Sequence, residues 1–291
     1  MTGSFDMSAK NIPKLLEAAS ARLAHLSVGR RDAELLLLRA LGRDRVWLLT
    51  HADAELTAGQ VELYEAWIAR RARQEPVQYI VGEQEFFGLT MRVTPDVLIP
   101  RPETEHLVEA LLSRVPHGAA MQIADVGTGS GAIAVALAHA LPLARVTALD
   151  ISAAALDVAR ENAVRHGVAV RHGVAGRVRF LASDLLSAVR GERFFAVVSN
   201  PPYVAEGEVL EAQVREYEPQ RALYAGLTGL EVYERLIPQA WQALVPQGWL
   251  LLEMGQGQRD AVARLLQDWD EVEFVADLQG IPRVAIARRA S

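Results

Sequence analysis

The chain holds 291 residues, 51% of them hydrophobic and 23% charged, which sets aside a disordered chain and leaves material for one large domain or two. Its formal net charge of -6 is a poor match for a nucleic-acid backbone, which demands an excess of Lys and Arg. With no cysteine, thiol nucleophiles, disulfides and cysteine-ligated zinc or iron–sulfur centres are excluded.

Residues 1–80 read as a small helical domain. The opening "MTGSFDMSAK" lacks the charged-then-apolar layout of a secretory signal. "NIPKLLEAASARLAHL" then places Ile12, Leu15, Leu16, Ala19, Leu23 and Leu26 at helical spacing. "RRDAELLLLRALG" is a second apolar segment, closed by Gly42 at a C-cap. "TAGQVELYEAWIARRA" opens with the capping-box pair Thr57 and Gln60 and sets Val61, Tyr64, Trp67 and Ile68 on one face. Three or four such helices are marginal alone, so the domain is expected to lean on another.

Residues 81–100 change character. Aromatic and β-branched residues flank Gly88, and prolines punctuate the chain at 95, 100 and 102, so Glu85–Phe87 and Met91–Val93 read as a β-hairpin joining two domains. Over 101–291 strand and helix patterns alternate. Strands are expected near 121–126, 145–150, 178–182, 195–199 and 247–253, with helices near 104–115, 130–140, 153–166, 229–244 and 256–268. That alternation defines a doubly wound α/β sheet, Rossmann-like and mostly parallel, and "VEFVADLQGIPRVAIARR" supplies an antiparallel pair at its edge. The longest apolar stretch, "GAIAVALAHALPLA", is too short to span a bilayer and contains Pro142, so a cytoplasmic protein without membrane association is expected. "RHGVAV" at 165–170 recurs at once as "RHGVAG" at 171–176. With no third ligand beside His166 and His172, the repeat reads as a lengthened surface loop rather than a metal site.

"IADVGTGSGAIAVAL" runs from a strand into a helix. Gly127, Gly129 and Gly131 remove side chains where backbone must approach a ligand, and the adjoining helix offers free N–H groups. The pattern also fits the looser dinucleotide fingerprint, with Asp150 at the end of the next strand as the ribose-binding acid that either cofactor class requires. Asp125 tilts the choice. An acid two residues before the first glycine would repel a pyrophosphate, whereas it suits a ligand carrying an ammonium and a sulfonium. Asp184 in "LASDLL" ends the third strand and is placed to accept from an exocyclic adenine amine. S-adenosylmethionine matches all three acids.

"VVSNPPYVAEGE" ends the fourth strand at Asn200, above the same crevice. Such a tetrad suits a planar NH2 whose lone pair is delocalised into a carbonyl or ring. The Asn200 side-chain oxygen and the Pro201 carbonyl can accept its two N–H bonds, the prolines hold that carbonyl without reorganisation, and Tyr203 can cover its flat face. The tetrad alone does not choose between adenine and glutamine.

"DVGTGSG" with "NPPY" resembles the class I methyltransferases of planar nitrogens. "EPVQYIVGEQEFFGLTMRVTPDVLIPRPETEHLVE", "YEPQRALYAGLTGLEVYERLI" and "LLEMGQGQ" resemble more specifically the HemK-type peptide chain release factor glutamine methyltransferases, over essentially the whole chain. The resemblance implies a class I methyltransferase domain at 101–291, using S-adenosyl-L-methionine and releasing S-adenosyl-L-homocysteine. It implies a cofactor site of Gly127, Thr128, Gly129, Ser130, Gly131, Asp150, Asp184, Leu185 and Asn200. Leu185 stands where many relatives carry an aromatic, which leaves apolar contact in place of ring stacking. Asn200, Pro201, Pro202 and Tyr203 would hold the substrate, with Asn200, Pro201 and Tyr203 catalytic. Arg101 and Glu103, in "IPRPETE", belong to a family motif near the site; the sequence derives no role for them beyond bracing the hairpin against the sheet. The implied substrate is the glutamine of the Gly-Gly-Gln motif of class 1 release factors, gripped by the helical domain, with no metal and no direct nucleic-acid contact. The alternatives are methylation of a ribosomal-protein glutamine or of adenine N6.

Overall fold

The computed structural model describes residues 11–116, 118–168 and 176–291. By its internal contacts the chain divides into two units: residues up to Gly82 together with Glu211–Tyr217, and Glu83–Leu210 together with Glu218–Ser291.

In the first unit the apolar spacing becomes helices α1 (Ile12–Arg22), α2 (Gly29–Leu41), α3 (Arg45–Thr50), α4 (Ala58–Arg71) and α5 (Val77–Val81). Ile12, Leu15, Leu23, Leu36, Tyr64 and Ile68 close one core among them. Gly42 caps α2 at φ 62°, a left-handed conformation natural to glycine, and the Thr57–Gln60 capping box opens α4. The buried Arg71 guanidinium is held by Asp32 at 2.7 Å and by the Glu75 carbonyl at 3.1 Å. The short helices α3 and α5 have no clear periodic signal in the sequence. In α5, "VQYIV" is strand-like in composition, yet it coils after Pro76.

The second unit starts with the hairpin, β1 (Glu83–Phe86) and β2 (Leu89–Arg92), slightly earlier in the chain than the sequence pattern suggests. Helix α6 (Glu105–Leu112) comes next, and then the alternation β3 (Gln122–Val126), α7 (Ala132–Ala140), β4 (Arg145–Asp150), α8 (Ala153–Arg165), β5 (Val178–Ala182) and β6 (Phe194–Ser199). After a two-residue strand β7 (Val204–Ala205), helix α9 (Ala212–Tyr217) belongs to the first unit, where the Tyr217 hydroxyl donates to the Arg73 carbonyl at 2.6 Å. The second unit resumes with β8 (Tyr224–Gly226), α10 (Glu231–Ala243), β9 (Leu244–Glu253), α11 (Arg259–Leu265), β10 (Asp270–Ala276) and β11 (Pro282–Arg288).

Seven strands form one sheet in the order β10-β11-β9-β6-β3-β4-β5. Neighbours from β9 through β5 pair in parallel, and β11 runs antiparallel to both β9 and β10. The reversed strand therefore lies inside the sheet, with β10 outside it. Strand β6 is apolar because both its faces are covered, and α7 is buried on nearly every side.

Buried Asn162 of α8 fastens the hairpin to this sheet. Its Oδ1 accepts from the Arg92 N–H at 2.7 Å, and its Nδ2 donates to the carbonyls of Arg92 and Ser130, each at 2.9 Å. His166 Nε2 donates to the Thr90 carbonyl at 2.9 Å, so the first histidine of the tandem repeat is a hairpin contact. The second, His172, lies outside the described residues.

The parallel strands all end on one rim, and this places Val126, Asp150, Ala182, Ser199 and Glu253 side by side. An arginine-lined cleft of about 400 Å³, with Arg145, Arg177, Arg179 and Arg193, opens at the opposite edge, where the strands begin.

Candidate active site

The glycine loop folds back on the sheet through its own backbone. The N–H groups of Gly127 and Thr128 both donate to the Leu149 carbonyl, at 2.8 and 2.9 Å. Gly127, Gly129 and Gly131 have φ of 71°, 54° and 80°, values that strain a residue with a side chain. At Gly131 space is also short, since a Cβ would lie 3.0 Å from that of Ala159.

Two acids flank the loop. Asp125 is fully buried. Its Oδ2 accepts from the Thr128 hydroxyl at 2.5 Å and the Ala134 N–H at 3.1 Å, while Oδ1 has no partner among the described residues. Burial pushes this carboxyl up to about 7, against the lowering effect of its two hydrogen bonds. Asp150 takes one N–H on each oxygen, from Gly129 and Ser152, both at 2.8 Å, and burial raises it above the usual carboxylate range. A buried, unpartnered carboxylate oxygen suits an ammonium. A second carboxylate with spare lone pairs suits ribose hydroxyls. These residues fit S-adenosylmethionine.

The adenine end is more open. Asp184 is half exposed, and its Oδ2 is ion-paired to Arg235. Leu185 has φ 51°, unusual for a branched side chain, and the turn is held by the Ser183 hydroxyl, which donates to the Leu185 carbonyl at 2.8 Å.

The Asn-Pro-Pro-Tyr tetrad begins one residue beyond β6. Ser199 ties this strand end to the glycine-loop side, donating to the Val126 carbonyl at 2.6 Å. Asn200 Nδ2 donates to Thr104 Oγ1 at 3.1 Å, and Thr104 Oγ1 donates to Glu253 Oε2 at 2.5 Å. The Asn200 amide is thus turned with its nitrogen toward Thr104 and its oxygen as the remaining acceptor. Glu253 is buried, and desolvation raises it to about 7; nearby Glu103 adds to this, while Thr104, Arg283 and Arg101 oppose it.

Tyr203 packs against Gly255, where a Cβ would meet its Cδ2 at 2.9 Å. Its carbonyl accepts from Gln258 Nε2 at 2.9 Å, and Gln258 Oε1 accepts from the Gly255 N–H at 2.9 Å. Burial, then the charge of Glu253, pushes the Tyr203 phenol up to about 12, so it stays protonated at neutral pH.

The Arg101 guanidinium pairs at 2.5 Å with buried Glu218, whose other oxygen accepts from the Ile99 N–H at 3.2 Å, so the contact fastens the end of the 81–100 segment. Glu103 bears on the site through its charge beside Glu253 and Tyr203. Sequence reasoning assigned no role to Thr104, Glu253 or Gln258. The available signal was an acid ending the apolar run "WLLLE" on the same rim as Asn200.

A seven-stranded sheet of this order, with a glycine loop and acids on its carboxyl rim, defines a class I methyltransferase. Solved structures agree on the fold: a methyltransferase from Pyrococcus furiosus aligns with TM-score 0.51 at 18% identity, covering 70% of this chain and 91% of that one. The T. thermophilus 16S rRNA N2 G1207 methyltransferase, in complex with AdoMet and guanosine, aligns with TM-score 0.52 at 20% identity over 71% of this chain and 49% of its own. Family models match as PrmC N-terminal domain at residues 14–82 and as methyltransferase small domain at 103–217. A release factor glutamine methyltransferase of Koribacter versatilis is 45% identical, over 94% of this chain and 98% of the relative. One from Geobacter sulfurreducens is 44% identical, over 95% and 96%. The chain belongs to the release factor glutamine methyltransferase family.

Proposed function

We propose that this enzyme transfers a methyl group from S-adenosyl-L-methionine to the side-chain amide nitrogen, N5, of the glutamine in the Gly-Gly-Gln motif of class 1 peptide chain release factors. The observation that carries the reading is the orientation of Asn200, whose amide nitrogen is committed to Thr104 and whose oxygen is left to accept an N–H. The names of the relatives supply the substrate class.

The cofactor, when bound, supplies an electrophilic methyl carbon on a sulfonium sulfur. Gly127, Gly129 and Gly131 would let the loop backbone approach it, with Thr128 and Ser130 between them; Asp125 Oδ1 would hold its ammonium, Asp150 its ribose hydroxyls, and Asp184 and Leu185 would border its adenine. Asn200 Oδ1 and the Pro201 carbonyl accept the two N–H bonds of the substrate amide and hold its nitrogen in line for transfer. Tyr203, a neutral phenol, covers the flat face of the amide, and Pro202 stiffens the segment between. A nitrogen–carbon bond forms, the carbon–sulfur bond breaks, and one amide proton leaves to solvent, giving N5-methylglutamine and S-adenosyl-L-homocysteine. No strong base is required, because the proton is acidic once the nitrogen is methylated. A cytoplasmic site of action suits a substrate that works on the ribosome. Among the described residues no helix is long and apolar enough to cross a membrane.

The test is incorporation of labelled methyl into purified release factor and into the same factor with its Gly-Gly-Gln glutamine changed to glutamate. A carboxylate has no N–H to give to Asn200 and Pro201, so labelling is expected only in the first; equal labelling of both overturns the reading.

A further inference from the structure

We propose that Thr104 and Glu253 form a relay that sets which end of the Asn200 amide faces the substrate, making both of them positioning residues for methyl transfer. This rests on the role given to Asn200 above.

The two ends of an Asn amide are nearly equal in shape, and its terminal torsion is broad and two-fold, so sterics alone do not choose between them. Only Oδ1 can accept a substrate N–H. With the amide flipped, two N–H groups would face each other and the site would lose its acceptor. The choice falls to Thr104, whose hydroxyl has one proton. An ionised Glu253 only accepts, so the Thr104 hydroxyl donates to Oε2, with 2.5 Å between the oxygens, and leaves a lone pair toward Asn200. The lone pair draws in Nδ2 at 3.1 Å and turns Oδ1 outward. Thr104 is 4% exposed and Glu253 2%, so bulk water is poorly placed to replace either partner.

Protonation reverses the logic. A neutral Glu253 can donate to Thr104, whose own proton then turns toward Asn200 and favours the flipped amide. The neighbours of Glu253 are Thr104, the acid Glu103, the phenols Tyr203 and Tyr233, and the cations Arg283 and Arg101. Both arginines already have a carboxylate of their own, Asp277 for Arg283 and Glu218 for Arg101. Burial therefore prevails over their pull, and Glu253 is raised to about 7. Its ionised form also polarises the chain through Thr104, strengthening Oδ1 as an acceptor while the substrate nitrogen gains positive charge.

The experiment compares the wild type with Thr104→Val, Thr104→Ser and Glu253→Gln, at saturating cofactor, with release factor varied across the neutral pH range. Wild-type kcat is expected to rise with pH through an apparent pKa of about 7. Thr104→Val should lower kcat about tenfold or more. Thr104→Ser, which keeps the hydroxyl, should recover most of that loss and retain the pH limb. Glu253→Gln should lose the limb and run slower than wild type above about pH 7, where wild-type Glu253 is ionised. Cofactor affinity by calorimetry should match wild type in all three, which shows that the fold is intact. Wild-type kcat in Thr104→Val, or an unchanged limb in Glu253→Gln, overturns the relay. A second readout does not depend on turnover: the Asn200 side-chain amide resonance should titrate at about 7 in the wild type and stay flat in Glu253→Gln. If release factor proves not to be the substrate, that resonance still decides for or against the relay, so the two failures are distinguishable.

Discussion

Asp125 and Glu253 are both carboxylates buried on the carboxyl side of one sheet, and burial raises both to about 7, yet they are held in opposite ways. Asp125 bonds to Thr128 and Ala134, three and nine residues along the chain, so strand, loop and helix close on themselves. Glu253 bonds to Thr104, 149 residues away, which in turn bonds to Asn200, 96 residues from itself. The cofactor half of the site is local in sequence. The substrate half exists only after the sheet has brought three distant segments together. A continuous strand–loop–helix can serve many methyltransferases unchanged, whereas the aim of the acceptor depends on contacts made by segments such as "IPRPETE".

The comparison predicts that the two halves can be broken separately. The largest effect is expected from Asn200→Ala, which removes an acceptor aimed at the reacting nitrogen. The turnover ratio kcat/KM should fall about 10²–10³-fold, while the cofactor dissociation constant, measured by calorimetry, should change far less because most of the cofactor site lies elsewhere. Unchanged turnover would remove Asn200 from the mechanism. Gly131→Ala attacks the other half. It forces a side chain into φ 80° against Ala159, so unfolding free energy should drop by about 1–3 kcal/mol in a denaturant titration and cofactor binding should weaken with it.

A smaller effect separates the two acids by their protons. Each carboxyl binds its proton more tightly in the fold than in the unfolded chain, so between the ordinary carboxylate range and about pH 7 the native state carries more protons. Ligand-free stability from these groups therefore falls as pH rises through that window. An ammonium at Asp125 Oδ1 favours its charged form, so cofactor binding near neutral pH should release a fraction of a proton. Calorimetry in buffers of different ionisation enthalpy measures it, and the release should vanish in Asp125→Asn but persist in Glu253→Gln. The smallest effect is expected from Gly255→Ala, which pushes on the edge of Tyr203. The KM for release factor should rise several-fold, with cofactor affinity unchanged.

Legibility in the sequence divides along the same line. The parallel strands, their helices, the glycine loop, Asp125, Asp150 and the tetrad could be read because each is a contiguous pattern of periodicity or spacing. The Thr104–Glu253 contact could not, since neither residue type is unusual where it stands and only the packing of the start of α6 against the end of β9 joins them. Arg101 drew notice for its motif, but its partner Glu218 lies 117 residues on, and no local pattern announces such a pair. In the helical unit, Gly42 and the Thr57–Gln60 box marked two boundaries well. Helix α5 stayed hidden because the β-branched ends of "VQYIV" oppose the conformation that its surroundings impose.

The central claim is that Asn200 and Pro201 hold an amide NH2 for methylation. Fragmentation mass spectrometry of release factor, after incubation with the enzyme and labelled cofactor, tests it most directly. One methyl group on the side-chain nitrogen of the Gly-Gly-Gln glutamine, absent with Asn200→Ala, is the predicted result. A methyl on any other residue, or label found only in nucleic acid, would contradict it.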